Sequence, residues 1–276
     1  MENGKLYLVA TPIGNLEDIT LRAIRILKEV DYIAAEDTRH TLKLLNHLEI
    51  AKPLISYHRH NEEIKTEELL QKLKTGKNIA LVSDAGTPVI SDPGEQVVKE
   101  ALKEGIEVIP IPGACALINA LIASGLDTKE FAFYGFLSIH KKLKKEKLEQ
   151  IKKENKTVIL YEAPHKLLTT LKDIQEIVGD RYIVIARELT KIHEEFIRGT
   201  VSEILETYTE PKGEHIILIE KSAEKEEESQ KEETIEERYA YYKAQGFTKN
   251  EIIKKIAKER GVPKNEIYQY ILKKVE

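Results

Sequence analysis

Four times within its first 111 residues this chain passes from a short apolar run through a polar loop into a segment with helical spacing. Strands are expected at Lys5–Ala10, Tyr32–Ala35, Leu54–Tyr57, Ile79–Val82 and Glu107–Ile111. Between them, helices are expected from about Thr20, through Leu42, Leu45 and Leu48, over Glu62–Lys74 and over Glu95–Glu104. In the first helix Leu21, Ile24, Leu27 and Val30 recur every three residues and predict its buried face, with Asp18 or Thr20 as N-cap. A strand regained after a helical crossover lies parallel to its predecessor, so the pattern calls for an α/β fold with a largely parallel sheet. The carboxyl ends of such strands share one edge, where open α/β sheets bind ligands.

Three loops at that edge are polar: Thr11-Pro-Ile-Gly-Asn15, Glu36-Asp-Thr-Arg-His40 and Ser83-Asp-Ala-Gly-Thr-Pro88. The last belongs to LVSDAGTPVISDPG (Leu81–Gly94), in which Ser-Asp-x-Gly occurs twice. Glycine allows close backbone approach, and proline with Asx or hydroxyl side chains fixes the turn. A tight turn ending in a helix cap would need fewer special residues, so the stretch reads as a ligand cradle. It holds no lysine, which suits a cationic ligand better than a phosphate. Asp84 is its expected anchor and Asp92 a turn or helix cap.

After Pro112-Gly-Ala-Cys-Ala116, read as a hinge, an apolar helix runs to Ser124 and Gly125. A second α/β unit follows, with strands at Phe131–Gly135, Thr157–Tyr161, Ile183–Ala186, Glu195–Ile197 and His215–Glu220. Its helices fall at about Lys141–Lys153, His165–Val178 and Val201–Tyr208, and neighbouring strands without helical crossovers predict a mixed sheet. The expected domains are 1–113 and 114–221, both α/β, an acidic linker 222–233, and a helical, helix-turn-helix-like module 234–276. The linker carries net −4 and the module net +4.

The longest mainly apolar stretch, Ala114–Ala123 with Asn119 inside it, is too short for a bilayer, and the start lacks a signal-peptide hydrophobic region. With a single cysteine, Cys115, the expectation is a cytoplasmic protein without membrane association. Neither GxGxxG nor GxxxxGK[ST] is present, which argues against nicotinamide and P-loop chemistry. His and Cys show no metal-ligand spacing, so no metal is expected. The segment His140–Lys156 has eight Lys against three Glu, enough positive charge to attract a phosphodiester backbone, although a solvated helix face reads the same.

The motifs LVATPIGNLEDITLRA (Leu8–Ala23), AAEDTRHT (Ala34–Thr41), LVSDAGTPVISDPG, YEAPHK (Tyr161–Lys166) and ARELTKIHEEFIRG (Ala186–Gly199) follow in order. Together they resemble the bacterial 16S rRNA cytidine 2′-O-methyltransferases of the tetrapyrrole-methylase superfamily. The resemblance implies two α/β domains with S-adenosyl-L-methionine in the cleft between them, a homodimer, and 16S rRNA, within the 30S subunit, as substrate. It assigns cofactor contacts to Pro12, Asp84, Ala85, Gly86, Thr87, Cys115, Ala116, Tyr161, Glu162, Ala163 and His215. The hinge departs from the family's Pro-Gly-Pro-Ser-Ala, because Ala114 and Cys115 replace Pro and Ser; a backbone contact survives that change. Candidate bases for deprotonating a ribose hydroxyl are Asp37, His165 and Glu188, and candidate cations are Arg39, Lys166, Arg187 and Lys191. The alternatives are a small-molecule methylase of a tetrapyrrole or corrinoid precursor, and a non-catalytic RNA-binding module.

Overall fold

A computed structural model describes residues 2–222 and 234–274 of the chain. The expected linker lies, from residue 223 onward, outside the described residues. The chain divides into two compact units, Met1–Lys221 and Ser222–Glu276.

The first unit holds two five-stranded sheets. In the first, β1 (Leu6–Val9), β2 (Tyr32–Ala35), β3 (Leu54–Ser56), β4 (Ile79–Val82) and β5 (Val108–Ile111) are all parallel, in the order β3-β2-β4-β1-β5. Alternation along the strands serves both faces. Leu6, Ala34, Ile79 and Leu81 pack on α3 (Glu62–Lys74) and α4 (Glu95–Lys103), whereas Val9, Ile33, Ala35, Ala80 and Val82 pack on α1 (Leu21–Glu29) and α2 (Thr38–His47). The strand order reverses at β4, which lies between β1 and β2 and brings the three polar loops to one switch point.

The helices formed where their spacing predicted, but two present different faces. In α1 the buried residues are Ala23, Ile26 and Leu27, while Leu21 is 87% exposed. Thr20 caps the helix through Ala23 N–H, so Leu21 starts the first turn on the solvent side, and small Ala23 takes the place beside the sheet. In α2, Thr41 and Leu45 are buried and Leu42 is exposed.

The second sheet contains β6 (Phe131–Phe136), β7 (Thr157–Glu162), β8 (Tyr182–Arg187), β9 (Glu195–Thr200) and β10 (His215–Ile219) in the order β6-β7-β10-β8-β9. Only β6 and β7 pair in parallel, so the sheet is mixed as expected. One face, with Leu160, Ile185 and Ile217, is covered by α6 (Lys141–Lys152), α7 (Pro164–Ile177) and α8 (Val201–Thr207). The other face, with Ile159, Val184 and Leu218, meets α5 (Ala116–Ser124) and also Ile13 from the loop after β1.

The second unit has its own core. Helices Ile235–Ala244, Lys249–Arg260 and Lys264–Lys274 enclose Tyr239, Tyr242, Ile252, Ile256 and Ile271, and capping boxes at Thr234/Glu237 and Thr248/Glu251 start the first two. Among the described residues no helix is long and apolar enough to cross a membrane.

Gly94 marks the end of the Leu81–Gly94 stretch at φ 137°, where an added Cβ would lie 2.7 Å from Leu81 Cδ2 and 2.8 Å from Val89 Cγ2. Gly105 also has positive φ, yet has nothing within 4 Å of that position. Gly94→Ala is therefore expected to cost about 2–4 kcal/mol in urea unfolding, and Gly105→Ala about 1 kcal/mol. Equal costs would remove the packing part of this account.

Candidate active site

The loop after β4 is held by its own backbone. Thr11 and Gly86 form an isolated antiparallel bridge, with Thr11 N–H to Gly86 O at 2.9 Å and Gly86 N–H to Thr11 O at 3.0 Å. Gly86 has φ 84°, and a Cβ there would come within 3.1 Å of Ile13. Thr87 Oγ1 donates to Ala114 O at 3.0 Å, tying the loop to the hinge. Further on, Val89 and Ser91 adopt φ 76° and 67°, a conformation rarely accepted by non-glycine residues and rarer for a β-branched one. Arg59 donates to Ser91 O, and Glu62 accepts Gly94 N–H at 2.8 Å, so neighbouring elements impose this backbone.

The result is a cavity of about 470 Å³ between the carboxyl ends of the first sheet and the ends of β6, β7, β8 and β10 in the second. Five acidic residues contribute to its lining (Glu36, Asp84, Asp92, Glu162, Glu214) and no lysine or arginine does. The Glu162 carboxylate is taken by Thr170 and that of Glu214 by Lys191, which leaves Glu36, Asp84 and Asp92 as the acidic wall. Its apolar wall includes Ile13, Phe136, Tyr161, Ala186 and Ile216. Tyr161 lies edge-on to Phe133 and Phe136, with centroids at 4.9 and 5.6 Å, and burial pushes its hydroxyl up to about 12.

Asp84, Ala85, Gly86, Thr87, Cys115, Ala116, Tyr161, Glu162, Ala163 and His215 all line this cavity. Asp84 Oδ1 also accepts Asp37 N–H at 2.9 Å, bridging the ends of β4 and β2. Glu162 and His215 meet the cavity at strand ends, but their side chains serve the helix-covered face. Glu162 accepts Thr170 Oγ1–H at 2.6 Å, and His215 Nε2 lies 2.8 Å from the Tyr208 hydroxyl. Burial, and then Arg187, push the pKa of His215 down and favour the neutral ring. Pro12 instead lines a smaller recess of about 220 Å³ on the other side of Asp84, together with His40, Thr41 and Lys43.

The residues singled out for catalysis lie outside the cavity lining. Asp37 caps α2 through Arg39 N–H, and its carboxylate takes the Arg39 guanidinium at 2.8 Å. The Arg39 hydrogen bonds hold Asp37 well below the usual carboxylate range. His165 and Lys166 are exposed in the first turn of α7. Arg187 pairs with Glu195 at 3.0 Å, and Lys191 bridges Glu188 and Glu214 at 3.0 and 2.9 Å. Glu188 also accepts Glu214 N–H, the main reason its pKa is lowered.

Sequence reasoning passed over Glu36 and read Asp92 as a cap. Gly94, not Asp92, is the N-cap of α4, and no side chain caps that end. Asp92 turns inward, and burial reinforced by Glu36 raises its pKa to about 6. Burial and then Asp84 raise Glu36 as well. The signal for Glu36 was strand alternation: Ala34 and Ala35 serve opposite faces, so consecutive Glu36 and Asp37 diverge. Among the described residues no His, Cys, Asp or Glu cluster has metal-binding geometry.

These residues fit S-adenosylmethionine. An acidic wall suits its ammonium and sulfonium, a glycine approach suits backbone contact, and an aromatic and aliphatic wall suits an adenine. A cationic ligand needs Glu36 and Asp92 ionised, so its affinity should fall as pH drops through about 6. The sign for stability is opposite. A carboxyl raised from 3.8 to about 6 favours folding in its protonated form, and that contribution is lost as pH rises through 6. Asp92→Asn should therefore unfold at higher denaturant than the parent at pH 7.5, with the difference closing toward pH 4; chemical denaturation across that range checks it.

Residues 5–205 match the family model for tetrapyrrole (corrin/porphyrin) methylases. Ribosomal RNA small subunit methyltransferase I of Halalkalibacterium halodurans is 53% identical over 97% of this chain and 94% of its own length. The protein of the same name from Bacillus subtilis is 54% identical over 96% and 93%. Among solved structures, uroporphyrin-III C-methyltransferase from Thermus thermophilus, complexed with S-adenosylhomocysteine, superposes with TM-score 0.57 at 19% identity, covering 79% of this chain and 97% of that one. That likeness concerns the fold.

Proposed function

We infer that this chain, which belongs to the tetrapyrrole methylase family and within it to the ribosomal RNA small subunit methyltransferases I, moves a methyl group from S-adenosylmethionine to rRNA of the small ribosomal subunit. The acceptor is the ribose 2′-oxygen of a cytidine in the decoding region of 16S rRNA, presented by the 30S subunit, and the working species is a cytoplasmic homodimer. The observation that carries the reading is the cavity walled by Glu36, Asp84 and Asp92, with no lysine or arginine in its lining. Such a wall favours a cationic methyl donor and disfavours a phosphate-bearing cofactor.

When bound, S-adenosylmethionine supplies an electrophilic methyl group on a sulfonium. The chain's part is to bind, align and exclude water. Asp84 would hold the amino or ribose hydroxyl groups, and the backbone of Ala85–Thr87 and of Cys115–Ala116 would offer close approach. Tyr161 and Ala163 would flank the adenine. Alignment of a 2′-oxygen behind the methyl carbon supplies much of the rate in an in-line displacement. The hydroxyl proton needs an acceptor facing the cavity. Asp37, tied to Arg39 and held strongly acidic, is a weak one, whereas Asp92 and Glu36 have raised pKa values closer to neutrality.

Incubating unmethylated 30S subunits with the protein and labelled S-adenosylmethionine, then digesting to nucleosides for mass spectrometry, should give labelled 2′-O-methylcytidine; its absence defeats the reading. Asp84→Ala should weaken S-adenosylmethionine binding at least about tenfold by calorimetry, the loss of one charge-assisted contact, and unchanged affinity would sink the role of Asp84. Removing residues 222–276, a separate unit whose helices carry net positive charge, should leave cofactor affinity intact and lower affinity for the subunit.

A further inference from the structure

Phe136 ends β6 at the cavity wall, yet is 58% exposed. Strict alternation along β6 would place it on the opposite face from Phe133. The register against β7 instead slips between Phe133 and Gly135, so that Phe133 stands opposite Ile159 and Phe136 opposite Tyr161. Ile159 and Tyr161 both belong to the cavity-side core. Gly135, at φ 62°, takes up the distortion. Bulges beside sites re-aim a side chain, and this one delivers a large aromatic ring to the cavity and leaves over half of it in water. Core packing alone does not account for that placement.

The chain then runs through four residues into α6. Ile139, in that connection, and Leu143, in the first turn of α6, are exposed. Lys141, Lys142 and Lys145 are exposed on α6 and have no ion-pair partner among the described residues. Lys144 differs. Its Nζ turns inward to Asp173 at 2.6 Å and Thr170 Oγ1 at 2.9 Å, and Thr170 in turn donates to Glu162 at the cavity-side end of β7. The basic helix is thus pinned to the strand that bears Tyr161, with Lys141, Lys142 and Lys145 outward, while Lys147 lies over the Tyr134 ring.

We propose that Phe136 is a stacking platform for a base of the RNA strand entering the cavity, and that Lys141, Lys142 and Lys145 hold the adjoining phosphates. The proposal rests on the rRNA-methylation reading above. An exposed aromatic at a strand end, followed within a few residues by a helix start bearing unpaired cations, offers single-stranded nucleic acid a ring for a base and charges for the phosphates that follow. The cavity itself has no lysine or arginine, so phosphates must be met outside it. A second copy of the chain is the poorer occupant, since His140–Lys156 carries eight Lys against three Glu and would face itself.

The test compares the parent protein, Phe136→Ala, Phe136→Leu, Phe136→Tyr and Lys142→Gln/Lys145→Gln on unmethylated 30S subunits. Thermal melts and sedimentation confirm fold and assembly state. With S-adenosylmethionine held saturating for each variant, Phe136→Ala and Phe136→Leu should raise KM for the subunit about five- to a hundredfold. Phe136→Tyr, which keeps the ring, should restore KM. The lysine pair should flatten the slope of log affinity against log salt by about 0.7 per lost phosphate contact. Parent-like KM in the leucine variant overturns the proposal, as does a raised KM that Phe136→Tyr fails to restore or an altered assembly state. If the parent itself fails to methylate the subunit, the functional reading falls first and this proposal with it.

Discussion

Two hydrogen bonds between Thr11 and Gly86 hold the site together. They join the loops after β1 and β4, neighbours because β4 lies between β1 and β2. Gly86 is required twice over, by its positive φ and by the nearness of Ile13. Ile13 then reaches into the core of the second sheet beside Leu117 and Leu189. One backbone bridge therefore fixes the floor of the cavity and links the two sheets through apolar packing rather than through the hinge alone.

The cavity keeps features that cost stability. Val89 and Ser91 occupy the left-handed region, worth roughly 1–3 kcal/mol each. Glu36, Asp84 and Asp92 crowd one another, and burial raises two of them toward neutrality. Folding alone gains nothing from such an arrangement. A bound cation would relieve the crowding, which accounts for the acid cluster, while Arg59 and Glu62 hold the strained loop in place.

Pattern reasoning located the elements well because strand and helix periods are local properties. Tyr32–Ala35 and Ile79–Val82 appear as strands at the expected bounds, and the mixed second sheet follows from strands lacking crossovers. Faces were harder to read. In α1 the small residue Ala23, not the bulkier Leu21, meets the sheet, since fit near a strand depends on volume as well as hydrophobicity. Charged residues at strand ends were the hardest to place. Asp37, Arg39, Arg187 and Glu188 look like chemistry in the sequence, and in the fold they cap a helix or pair with neighbours. Asp92 went the other way, from apparent cap to cavity wall.

The sequence by itself determined the α/β rhythm, the edge at which three polar loops end, and the acidic, lysine-free character of the Leu81–Gly94 loop. These depend on residue order over a few positions. Only the tertiary structure decided which carboxylates face inward, because Glu36 and Asp37 differ by a single step of strand alternation. It alone decided the place of Phe136 too, because a one-residue bulge at Gly135 reverses which face that ring occupies. A shift of one residue is invisible to composition and spacing, yet it moves a side chain from one side of a sheet to the other.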